Sequence, residues 1–169
     1  MKIEINKLKV EKLNLNMLNQ YLELYENVKK CMKYPEWLGD FSRDDYIHLL
    51  NNGSTIFIWI YNKKIIAAGM LIPSKEKDLI KFFSQDLNYK EVIDFGPELV
   101  DINYIGNGLQ DKIIKYLEKY AKEKGYRYGI STVHPDNFYS IKNLEKNEFK
   151  NIGTIELKRG TRNVYRKQL

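Results

Sequence analysis

Between Leu99 and Gln110 the chain reads Leu-Val-Asp-Ile-Asn-Tyr-Ile-Gly-Asn-Gly-Leu-Gln, with Gly106 and Gly108 where an apolar run hands over to a helical pattern. The start of a helix offers several backbone N–H groups without intrahelical acceptors and a partial positive charge, which together suit a phosphate. Glycines there remove the Cβ atoms that would hold a diphosphate at a distance. A bare GxG fits a ligand-free connection equally well. Two nucleotide motifs are excluded. The dinucleotide fingerprint GxGxxG needs glycine where the chain has Asp111, whose charge would oppose a phosphate, and no GxxxxGK[ST] run exists.

The stretch Val100–Gln110 resembles the acetyl-CoA-binding motif of the GNAT superfamily, Q/R-x-x-G-x-G/A, often extended to V-x-P-x-Y-R-G-x-G-L. Val100, Tyr104, Gly106, Gly108 and Leu109 match, whereas Ile102, Asn103 and Ile105 replace proline, Gln/Arg and arginine. A second stretch, Thr132–Phe149, is similar to the family's next motif through Asn137, Ser140, Glu145 and Phe149, with Leu144 at the usual tyrosine and Glu148 at the usual glycine. Alone, Pro135-Asp136-Asn137 is a turn and helix cap. The resemblance covers nearly the whole chain, and Val100–Phe149 carries its specific part.

This resemblance implies acetyl-CoA as cosubstrate. Amides of Val100 and Ile102 are expected on the pantetheine, amides of Ile105, Gly106, Asn107, Gly108, Leu109 and Gln110 on the pyrophosphate, and Asn137 and Ser140 on the far side of the arm. It implies direct attack of an amine, from a small molecule or a peptide, on the thioester. A backbone amide near Val100 would receive the oxyanion. The alternative is a non-catalytic or differently specific acyl-CoA-binding member of the same fold.

Acetyl transfer needs a neutral amine, donors for the developing oxyanion and a proton for the leaving thiolate. Glu98 is the candidate base, with Asp94 on the same face if the strand is unbroken; either also reads as a solvated carboxylate. The usual acid is the tyrosine that Leu144 replaces. Tyr139, a little over one turn earlier, is the substitute, although with 13 tyrosines present a packing role competes. His134 is a further candidate. Tyr34, Trp37, Phe41, Phe82 and Phe83 line an acceptor pocket or fill the core.

These residues need a scaffold, and the chain supplies one domain's worth. Its 169 residues are 43% hydrophobic and 30% charged, without repeats, low-complexity tracts or linkers. A first strand is expected over Ile3–Val10, then an amphipathic helix over Leu15–Met32, ended near Pro35. A short helix follows Ser42, capped with Asp45 and ending at Asn52-Gly53. A hairpin spans Thr55–Tyr61 and Ile65–Ile72. Lys75–Lys90 reads as a short helix or a lid-like excursion. A strand is expected over Val92–Asp101, with Gly96-Pro97 as its candidate point of interruption. The signature helix, Leu109–Lys124, ends at Gly125. A strand at Tyr126–Val133, a helix at Tyr139–Asn147 and strands at Phe149–Lys158 and Asn163–Gln168 complete the order.

The expected class is α/β with a mixed, mostly antiparallel sheet of about seven strands, flanked by about four helices. The resemblance adds a splay between the fourth and fifth strands. Cys31 is the only cysteine and His48 and His134 the only histidines, without HExxH spacing, so no metal is expected. A net charge of +6 attracts polyanions in general, but no nucleic-acid motif accompanies it. No apolar run approaches the roughly 20 residues of a membrane span, and no signal peptide is recognised, so a cytoplasmic monomer or homodimer that binds neither nucleic acid nor membrane is expected.

Overall fold

The computed structural model describes the backbone of residues 1–169 and every side chain except that of Ile5. Strands β1 (Lys9–Lys12), β2 (Thr55–Tyr61), β3 (Lys64–Pro73), β4 (Val92–Val100), β5 (Tyr128–Val133), β6 (Lys150–Leu157) and β7 (Gly160–Gln168) form one sheet in the order β1-β2-β3-β4-β5-β7-β6. Helices α1 (Leu18–Cys31), α2 (Arg43–Asn51), α3 (Glu76–Lys81), α4 (Leu109–Glu123) and α5 (Phe138–Lys146) connect them. The β4–β5 pair is parallel, and β1–β2, β5–β7 and β6–β7 are antiparallel. The mixed sheet expected from the sequence is therefore present, with a fifth short helix in the excursion.

Two compact units divide the chain: Met1–Met70 with Pro97–Ile113, and Leu71–Gly96 with Ile114–Leu169. In the first, α1 buries Leu18, Tyr21, Leu24 and Tyr25. Edge-on contacts at 5.0 and 5.7 Å set the Tyr21 and Tyr25 rings against Tyr46 of α2. The start of α2 is fixed by a reciprocal cap: Asp45 N donates to Ser42 Oγ at 3.2 Å, and Ser42 N donates to Asp45 Oδ2 at 2.7 Å. The β2–β3 turn passes through Asn62 and Lys63, both at positive φ, the backbone that tight hairpins require.

In the second unit Leu79 and Phe82 pack with Val92, Ile130 and Val164. Phe83 lays its ring where a Cβ on Gly153 would stand, 2.7 Å away, so glycine is needed in β6 for this contact. Arg166 of β7 bonds Asp86 at 3.1 Å. The excursion is thus a short helix and turn docked by apolar packing and an ion pair.

Two sequence expectations are corrected. Residues 3–8 are not strand: a 3-10 turn occupies Ile5–Lys7 and β1 begins at Lys9, because the chain before it bonds to the turn near Asn107 and, through Glu4 N, to the Tyr61 hydroxyl instead of forming a backbone ladder with β2. Gly96-Pro97 does not interrupt β4, which runs unbroken from Val92 to Val100. Proline lacks only its own N–H, and the extended backbone it prefers suits a strand.

Candidate functional site

The strand that leads to the glycine turn is β4. Its parallel ladder with β5 pairs Val92 with Tyr128, Ile93 with Gly129 and Asp94 with Ile130. At the next position the Phe95 carbonyl accepts a bond from the Ser131 hydroxyl at 3.2 Å, a side chain where a ladder would supply a backbone amide. Close approach continues here, since a Cβ on Gly129 would meet the Phe95 ring at 2.8 Å.

Beyond β4 the chain is tied down by Asp101, a residue that motif reasoning passed over. Asp101 N donates to Ile66 O at 2.8 Å, and its carboxylate accepts from Lys64 Nζ at 2.7 Å, Asn103 N at 3.0 Å and Asn103 Nδ2 at 2.9 Å. Burial alone would raise this carboxyl's pKa, but the bonds from Lys64 and Asn103 outweigh it and hold it below the usual range. Asp preceding Ile-Asn was the available clue, an aspartate that bonds the amide two residues on. A 3-10 turn at Ile102–Tyr104 follows and buries Tyr104, whose ring meets Tyr61 edge-on at 6.0 Å.

The turn opens into α4 through two left-handed glycines, Gly106 at φ +86° and Gly108 at φ +67°. A Cβ at either would meet nothing within 4 Å, so both face open space. Lys112 N donates to Gly108 O at 3.2 Å, the first turn of α4. Helix geometry leaves the preceding amides, including those of Leu109 and Gln110, without intrahelical acceptors. A glycine-opened helix start facing open space suits a diphosphate, and the residues present fit that group. Ile102 and Ile105 are exposed at 51% and 64%, large apolar side chains beside this turn.

Glu98 lies on β4 near the turn. Removal from water pushes its carboxyl up to about 8, opposed by a hydrogen bond from the Gln110 side chain on the first turn of α4. That bond joins the expected base to a residue that motif matching valued only for its amide. Asp94, on the same side of the continuous strand, is pushed up to about 7 by burial with help from Asp78, against Arg159 and Lys81. Val100 is half-buried at the end of the strand.

In the second unit Asn137 caps α5, its Oδ1 accepting from Ser140 N at 3.2 Å, so the capping role read from the sequence is real. Tyr139 stands 85% exposed on α5, and Leu144, at the family's tyrosine position, is buried in the core. His134 Nδ1 accepts from Asp136 N at 3.2 Å. Among the five aromatic candidates for an acceptor pocket, Phe82 is buried, Phe41 leans on Tyr46 at 5.4 Å and Tyr34 stacks on Trp37 at 4.7 Å. Among the described residues no group of three His, Cys, Asp or Glu could hold a metal, and no helix is long and apolar enough to cross a membrane.

The sequence profile of the Acetyltransferase (GNAT) family matches residues 17–149. The chain belongs to the GNAT acetyltransferase family. Solved structures agree on the fold. An N-acetyltransferase from Staphylococcus aureus Mu50 is 19% identical, with a TM-score of 0.75 over 95% of this chain and 98% of that one. A putative acetyltransferase from Salmonella typhimurium, solved with its cofactor acetyl-CoA, is 14% identical with a TM-score of 0.74 over 97% and 95% of the two chains. A ribosomal-protein-alanine N-acetyltransferase from Brucella melitensis is 14% identical, with a TM-score of 0.74 over 95% and 99%. No curated protein matches the sequence significantly.

Proposed function

We propose that this GNAT chain transfers an acetyl group from acetyl-CoA to an amine of a small molecule or a peptide. The observation that carries the reading is the pair of left-handed glycines at the head of α4, both facing open space. Acetyl-CoA supplies the acetyl thioester. Amides of Gly106–Gln110 hold the diphosphate, the Ile105 amide expected with them being bonded instead to Ile102 O at 3.4 Å, and those of Val100 and Ile102 meet the pantetheine.

Glu98 takes the proton of the attacking amine. With its pKa pushed up to about 8, it is matched to an ammonium group that must lose a proton near neutral pH. Formation of the C–N bond and loss of the C–S bond leave a thiolate, which takes its proton from Tyr139 or from water. The backbone amide at Val100 donates to the carbonyl oxygen as charge gathers on it.

Leu144 favours a second reading, a non-catalytic member that binds an acyl-CoA, because a buried leucine stands at the usual acid. A panel of amines, with acetyl-CoA and a colorimetric reagent for free thiol, separates the two. Amine-dependent thiol release supports the transferase. Tight coenzyme binding with no thiol released across the panel supports the binder.

A further inference from the structure

The side chain of Asn107, between the two glycines, points back into the protein. Its Nδ2 donates to Tyr104 O at 2.9 Å, which closes the turn on itself, and to Met1 O at 2.8 Å. Its Oδ1 accepts from Ile3 N at 3.1 Å. One amide therefore satisfies three backbone groups, two of them more than a hundred residues away in sequence. The same turn is held at its other end by the bonds of Asp101. Between these anchors, Gly106 and Gly108 adopt backbone that lacks the steric guidance of a Cβ. Without restraint, two glycines separated by one residue would sample many conformations, and ordering them on binding would weaken affinity.

We infer that Asn107 and the main chain of Met1–Ile3 form a clamp that fixes the phosphate-binding turn before the coenzyme arrives, so that Asn107 is a positioning residue for the diphosphate. This rests on the acetyl-CoA reading for its consequence but not for its structure. The clamp acts through Asn107 Oδ1 and Nδ2 and the backbone of residues 1 and 3, none of which needs to touch ligand. It also accounts for the failure of the sequence alternation at residues 3–5 to become a strand.

Three variants test it: Asn107→Ala, Ile3→Pro, which removes the donor to Oδ1, and Ile3→Ala, which keeps that donor. Hydrogen–deuterium exchange of ligand-free protein reads the turn directly. Exchange of the amides between Ile105 and Gln110 is expected to quicken in Asn107→Ala and Ile3→Pro but not in Ile3→Ala. Calorimetry with CoA is expected to show affinity about tenfold lower in the first two, the scale of one or two lost hydrogen bonds. The double variant is expected to lose little more than either single one, since both break the same clamp. Pantetheine, which lacks the diphosphate, is expected to bind all variants alike. Unchanged exchange in Asn107→Ala, or an equal loss for pantetheine, overturns the clamp. Quickened exchange in a protein whose wild type ignores CoA upholds the clamp and removes the acetyl-CoA reading instead.

Discussion

Glu98 shows how one residue's surroundings set what it can do. A carboxyl on a half-buried strand position, kept from water, holds its proton until about pH 8, and Gln110 on the next helix donates to it. If Glu98 accepts the amine proton, kcat/KM rises with pH through an apparent pKa near 8, and Glu98→Gln flattens that limb. An unchanged profile in the variant clears Glu98 of the role. The same shift bears on stability. The unfolded carboxyl ionises near its ordinary value of 4.5 and the folded one only near 8, so stability declines as pH rises between these values and levels off above. Glu98→Gln is expected to reduce that decline in denaturation measured from pH 5 to 9. Glu98 was a candidate from the sequence because it lies on the expected strand that leads to the glycine turn and borders the expected acceptor site. Its partner Gln110 was not visible, since nothing in the spacing says that a helix's first turn bends its side chain back to the strand.

The elements carry the family's geometry even where its residues are replaced. At the end of α5 the family's glycine is Glu148, and the backbone is still left-handed there, at φ +65°. Glu148 N donates to Glu145 O at 2.9 Å and Phe149 N to Leu144 O at 3.1 Å, the bonds that close a helix in this way. A side chain with a Cβ at such a φ costs about 1 kcal/mol relative to glycine. Glu148→Gly is therefore expected to stabilise the protein by roughly that amount in chemical denaturation. The exposed ion pair that Glu148 makes with Lys167 at 3.5 Å offsets little of the gain. No gain, or a loss, would mean that the left-handed backbone is not strained. At this scale the helices α1, α2, α4 and α5 were legible, because apolar spacing, the Ser42 cap and Gly125 all mark them. The first strand was not: alternation over Ile3–Val10 fits an edge strand, but the bond from Ile3 to Asn107 spans a sequence separation of 104 and cannot be read locally. Continuity of β4 through Gly96-Pro97 was missed for the opposite reason, a local rule applied where the strand's other bonds hold it.

Over the whole molecule, the order of elements and the two motif segments were enough to give the class of fold, since a seven-stranded mixed sheet follows from that order. What the sequence left open is the acceptor, because aromatic residues expected to line a pocket are divided between buried, stacked and exposed positions. The net charge of +6 favours any polyanion weakly, and a coenzyme carrying phosphates is one such ligand. Charge attraction and a built cradle differ in how they respond to one substitution. Gly106→Glu changes the net charge by one unit but places a Cβ and a carboxylate in the open space at the head of α4. Calorimetric titration of acetyl-CoA into the wild-type protein and this variant is the direct test. Saturable binding of one coenzyme per chain below millimolar concentration, abolished in Gly106→Glu while the melting curve keeps its shape, is the predicted result. Absence of binding in the wild type at millimolar acetyl-CoA, or equal affinity in the variant, would contradict the cradle.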